Sequence, residues 1–203
     1  KILMISDIFV FTGFGLIEPI LAIFMKDNVV GGTIFAVGIA STIYLVTKSL
    51  VQLPFSRYVD NHDHKLIWLK IGSGLIVLVP FLYMFAKEIH AIYMIQIIYG
   101  IGAGLAYPAW LGIWSANIDK NHTSFEWSFY YTLIGLGTAM TAAIGAAVAE
   151  FIGFNYTFLL VGILSFIGCS LLYMLEKKNV KKGKEIDQHH YHKKRKLLHS
   201  KYH

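Results

Sequence analysis

Long apolar runs, separated by short polar breaks, organise this chain. Six runs stand out, at about residues 2–25, 33–55, 66–86, 91–117, 124–151 and 156–175. Each reaches the roughly 20 mainly apolar residues that a helix needs to cross a bilayer core. The breaks fall at 26–32, 56–65, 87–90, 118–123 and 152–155. None of the runs shows the strict alternation of a strand. The pattern predicts an all-α, polytopic membrane bundle of six transmembrane helices over residues 1–176, with a tail at 177–203.

Polar positions inside the runs are not scattered. On the first helix Asp7, Phe11, Phe14 and Glu18 are spaced 4, 3 and 4 apart, so they share one face. Ser41, Tyr44, Lys48 and Gln52 do the same on the second. The fourth carries a continuous stripe, Gln96, Tyr99, Ala103, Tyr107, Trp110, Trp114 and Asn117. The fifth aligns Trp127, Tyr131, Ile134, Thr138, Thr141 and Gly145. Helices 3 and 6 are apolar nearly all round. Four helices are therefore expected around a wet path, with two outside facing lipid. Packing through interhelical hydrogen bonds is the simpler reading of the Ser, Thr and Tyr members.

The ionisable members carry more information. A charge near the bilayer centre costs about 2.5–3.5 kcal/mol on insertion scales, and such residues usually mark a pathway. Glu18 precedes Pro19, whose missing backbone donor kinks a helix beside the carboxyl. Its expected role is to carry a proton or bind a cation. Lys48 either lines the pathway, with Asp7 as its ion-pair partner, or extends its long stem to the surface. Gly100 and Gly104 on helix 4, and Gly135, Ala139, Ala142 and Ala146 on helix 5, permit close packing.

Composition sharpens this picture. Hydrophobic residues make up 56% and charged residues only 15%, against about 25% charged in soluble domains. The net charge of +6 is not a nucleic-acid patch, because ten of the eighteen Lys and Arg follow Glu176. The lone Cys169 excludes a disulfide framework and a cysteine zinc site. Loop lysines and arginines set the orientation. The second break holds Arg57 and Lys65, and the fourth holds Lys120. The first and third hold one lysine each, Lys26 and Lys87, and the fifth none. Both termini are expected in the cytoplasm, in a multi-pass protein of the plasma membrane. The basic tail is expected to be disordered; its charges could hold anionic lipid, with orientation by the positive-inside rule the simpler expectation. Its His189, His190 and His192 could hold a metal, with a solvated tail the simpler expectation.

The second break becomes specific in detail. It reads Ser56-Arg57-Tyr58-Val59-Asp60-Asn61-His62-Asp63-His64-Lys65, with Pro54 just before. This resembles the G-x-L-A-D-R-x-G-R-K loop of the major facilitator superfamily, matching at Asp60 and Lys65. Ser56, Asn61, Asp63 and His64 depart from it. Tyr99-Gly100-Ile101-Gly102-Ala103-Gly104 resembles the Gly-rich part of that family's helix 4, with Gln96 where many proton-coupled members have Arg. Gly13-Phe14-Gly15-Leu16-Ile17-Glu18-Pro19 looks like the family's first helix. Gly145 stands without the Gly-Pro pair of the antiporter motif.

The resemblance spans residues 1–176. It implies one half of a transporter, built from two inverted three-helix repeats. It implies that Asp60 braces a cytoplasmic gate with Arg57 and Lys65 as electrostatic neighbours. It also implies a second six-helix half, expected from a second copy, with a partner chain or a longer chain as alternatives. The expected function is secondary transport of a small solute by alternating access, proton or cation coupled. Glu18, Lys48, Gln96, Tyr99, Tyr107, Trp110 and Thr138 would line the path. The aromatic stripe favours a neutral or amphipathic organic solute. The alternative is a non-transporting membrane scaffold or regulatory half. An intramembrane hydrolase is disfavoured, because no His lies in a span to serve Ser73 as base. No cofactor or metal is expected. The glycines at 100–104 lie inside a span with no strand before them, unlike a nucleotide loop.

Overall fold

The computed structural model describes residues 2–17, 19–62, 64–119 and 121–172, leaving aside the side chains of 2, 3, 11 and 12. Glu18, Lys120 and the whole tail at 177–203 lie outside the described residues. The described chain forms α1 (Ile2–Gly15), α2 (Leu21–Asp27), α3 (Ile34–Asp60), α4 (Lys65–Phe85), α5 (Ile89–Asn117) and α6 (Thr123–Phe151). A last helix, α7, covers Phe154–Leu172. Helices α3 to α7 are each long and apolar enough to cross a membrane.

The first expected helix is broken. At about 1.5 Å per residue, the 14 residues of α1 reach only about 21 Å, short of a bilayer core. Together with α2 the segment is long enough. The Leu16 and Ile17 amides bond back to Gly13 and Phe14, at 3.1 and 3.0 Å, which is the tightened pattern of a helix end. Pro19 follows, with no amide to continue the ladder. The second boundary also moves. The helix expected to end at residue 55 runs on to Asp60, so the break shrinks to residues 61–64. Its last carbonyls find partners: Asn61 Nδ2 donates to Arg57 O and Lys65 Nζ to Val59 O, both at 2.9 Å.

Helices α1 and α5 are the two central elements. α5 packs against α3 and α4. α1 packs against α6 and against α7, where Ser6 Oγ donates to Gly168 O at 2.6 Å. Exchanging the first three-helix unit for the second turns one set of contacts into the other, as inverted repeats require. Alternate glycines permit this. Residues two apart on a helix point about 200° apart, so a Gly-x-Gly run is thin on two opposite faces. Gly13 meets Ser165 and Leu164 of α7, and Gly15 meets Thr138 and Thr141 of α6. Likewise Gly102 meets Leu75 and Gly72 of α4, while Gly100 and Gly104 meet Thr47 and Val51 of α3.

Links at the helix ends are short. Gly31 takes φ 81° and Gly153 φ 117°, values that favour glycine, where the chain turns into α3 and α7. Val30 bridges to the segment before α5, through bonds to Lys87 O and from Ile89 N. Before α6, Asp119 accepts from the Asn121 amide at 2.9 Å and pairs with His122 at 3.0 Å. The His122 contact, then the amide, hold its carboxyl below the usual carboxylate range.

Two apolar clusters hold the bundle. One gathers Leu16, Ile17, Phe24, Tyr83, Ile92 and Phe158. The other gathers Val59, Leu69, Ala109, Trp110, Trp114, Tyr130 and Leu172. In their most apolar stretches α3 and α6 are only 11% buried, against 50% for α5, so these two helices are the least covered of the long spans.

Candidate functional site

A cavity of about 330 Å³ opens among the helices, between the two apolar clusters. α1 brings Ser6, Asp7 and Phe14 to it, α3 brings Tyr44 and Lys48, α5 brings Tyr99, Tyr107 and Trp110, and α6 brings Tyr130 and Tyr131. Leu69 and Ser73 of α4 and Leu172 of α7 complete the lining. All six spans therefore reach it. The two nearly all-apolar helices, expected outside, also contribute to the wall.

Among the described residues, one acidic and one basic side chain line the cavity, Asp7 and Lys48. The Tyr130 hydroxyl donates a hydrogen bond to the Asp7 carboxylate, joining α6 to α1. Lys48 Nζ lies 5.3 Å from the Tyr107 ring centroid and 5.9 Å from that of Tyr44, inside the range for cation–π attraction. The expected Asp7–Lys48 ion pair is not formed. Each group faces the cavity from its own side, and each is held by its nearest aromatic neighbour.

Aromatic rings make most of the remaining wall. Tyr99 stacks on Tyr44 at 4.4 Å and on Phe14 at 5.3 Å. Trp110 is backed by Trp114 at 5.5 Å, with the rings nearly parallel at 8°. Trp110 and Trp114 both keep a buried indole N–H without a partner among the described residues. Tyr107 and Tyr131, 40% and 59% exposed, stand at the open rim.

Of the residues expected on the path, Lys48, Tyr99, Tyr107 and Trp110 come together here, joined by Asp7, which was expected only as the partner of Lys48. Gln96 does not line the cavity. It is buried in α5, with its Oε1 unpartnered among the described residues. Thr138 does not line it either, because that residue packs against Gly15 at the α1–α6 contact. Tyr130, one residue off the stripe that the sequence predicts, also lines the cavity. Spacings of 3 from Trp127 and 4 to Ile134 suit Tyr130 as well as 4 and 3 suit Tyr131, so periodicity alone could not choose between adjacent tyrosines.

Asp60 and Lys65 border a second, wider groove of about 670 Å³ between α3 and α5, shared with Gln52, Ser56 and Tyr107. They are not loop residues. Asp60 ends α3 and Lys65 begins α4. Lys65 lays its stem over Gly112 and spends its ammonium on the Val59 carbonyl. Arg57 is exposed on the last turns of α3.

The family model of the Major Facilitator Superfamily matches residues 3–201. The chain belongs to the major facilitator superfamily. It is a multi-pass membrane protein. Among similar facilitators is the quinolone resistance protein NorA of Staphylococcus aureus, 24% identical over 186 residues in strain Mu50 and 23% in strain MRSA252. Those matches cover 90% of this chain and 47% of the relative. The chain thus spans about half the length of the curated relatives it matches. The POT family transporter PepTSo shares the fold, with a TM-score of 0.74 at 13% identity over 87% of this chain and 37% of the other.

Proposed function

We propose that this facilitator chain is one six-helix half of a secondary transporter that moves a small amphipathic solute by alternating access. The reading puts it in the plasma membrane with both termini in the cytoplasm. The cavity supports it most directly. A carboxylate and an ammonium share a space whose lining includes the exposed Tyr107 and Tyr131. Facing hydrocarbon, each charge would cost about 2.5–3.5 kcal/mol. A second half set over those tyrosines would keep the cavity wet and give it two alternating mouths. The second half is a second copy of this chain in the simplest form of the reading. Asp7 is the group that would take up a coupling proton or cation. Asp60 would bear on the facing half, with Arg57 and Lys65 beside it. The resemblance to a quinolone resistance protein favours aromatic, drug-like solutes.

The test needs no known substrate. A cysteine placed at Ile134, inside the cavity, in a Cys169→Ser background, is exposed to a membrane-impermeant thiol reagent from each side in turn. Alternating access expects labelling from both faces. A cysteine that stays unreactive from one face or from both would remove the reading.

A further inference from the structure

The side chain that the cavity leaves least compensated is Lys48. It stands one turn from Tyr44 on α3 and faces the solute cavity. Among the described residues no carboxylate lies within ion-pair reach of it. Its contacts are the faces of Tyr107 and Tyr44. Ring faces attract a cation but do not neutralise it. The other charge in the cavity, Asp7, is taken by the Tyr130 hydroxyl on the opposite wall.

The surroundings narrow what could meet Lys48. Among the described residues it is the only cation lining this cavity, so a single negative charge matches it. A dianion would leave one charge uncovered near Asp7. Aromatic side chains (Phe14, Tyr99, Tyr107, Trp110, Tyr131) make much of the lining, which suits an apolar ring body. About 330 Å³ is at the small end of the range for drug-sized sites, room for one or two fused rings.

We infer that Lys48 is the anion-recognising residue of this cavity and that its ligand is an aromatic monocarboxylate. The carboxylate rests on the ammonium and the rings lie between the α5 and α6 aromatics. This rests on the cavity being the solute path, and it names the class of solute.

The test is binding, which requires no transport. The full chain in lipid nanodiscs is dialysed to equilibrium against 1-naphthylacetate and, separately, 1-naphthylacetamide, with empty nanodiscs as the blank. The two probes share rings and size and differ in charge. The expected result is at least tenfold tighter binding of the carboxylate. Lys48→Gln should lower the carboxylate to the affinity of the amide while the amide is unchanged, which also shows that the variant folds. Lys48→Arg should retain the preference. Equal affinity of both probes for the unaltered chain, no binding of either, or a preference that survives in Lys48→Gln would each overturn the inference. Cavity labelling from both faces without a carboxylate preference would remove this inference and leave the transport reading standing. The converse pair of results would do the opposite.

Discussion

Tyr130 contributes a single hydroxyl to Asp7, yet that bond is the polar link between α1 and α6 at the cavity. Interhelical hydrogen bonds in membrane proteins contribute about 0.6 kcal/mol on average and at most about 1.7. Tyr130→Phe should therefore lower refolding stability in bicelles by about 1 kcal/mol. In a double-mutant cycle with Asp7→Asn, the coupling should account for most of that loss. Strictly additive losses would mean that the ring of Tyr130, packed beside Trp110 and Trp114, matters and its hydroxyl does not. Lys48 illustrates the same scale from the other side. Its charge in an apolar run marked it as unusual, but a chain position cannot say whether a long stem reaches the surface or folds over a ring. The rings of Tyr107 and Tyr44 decide that.

Glycine spacing sets how the helices meet. A side chain on Gly145 would place its first carbon 1.9 Å from the Leu16 carbonyl oxygen, a backbone atom that cannot swing away. Gly135, on the same helix, has nothing within 4 Å of that position. The two should respond oppositely. Gly145→Val should destabilise the chain by about 1–3 kcal/mol, as overpacking does. Gly135→Ala should be neutral or stabilising by up to about 1 kcal/mol, from helix propensity. Thermal unfolding of both variants in the same detergent reads this. Equal losses would show that the α1–α6 contact does not depend on a missing side chain. The small residues of helix 5 were legible as a packing stripe. That Gly145 touches the broken segment after α1, and Gly135 nothing, was not, because the partner of each position is set by how α1 ends.

Across the whole molecule, two spans stay largely uncovered. Leu50 and Leu53 of α3 and Met140 of α6 are each 70% exposed, on the two long spans that are least buried. Lipid could cover those apolar side chains at no cost. It could not cover the charged groups of the cavity, which is the reason to expect protein there. Native mass spectrometry of the chain in nanodiscs, at a low protein-to-disc ratio, should find two copies together. A strict monomer in every lipid tried would discard the homodimer and leave the second half to a partner or to a longer chain, or leave this half without transport.

Hydrophobic run lengths alone dictated a polytopic helical membrane protein, because a bilayer imposes span length on any chain that crosses it. Charges inside those runs marked Glu18 and Lys48, with Asp7 as a partner for Lys48, since placing them there is costly enough to need a reason; Glu18 lies outside the described residues. The glycines of α1 and α5 carried the family resemblance, while only the contacts between helices made these two the central elements. Periodicity, however, assigns a residue to a face and leaves open what that face meets. The position of Pro19 invited a kink, while a full break into α1 and α2 needed the neighbours that hold Leu16 and Ile17 in the core. Gln96 and Thr138 share stripes with cavity residues and still point into packed contacts, because a stripe several turns long passes more than one neighbour. Tyr130 entered the cavity, and the Asp7–Lys48 pair stayed apart, for the same reason: contacts between helices depend on distances across the bundle that no spacing along one chain contains.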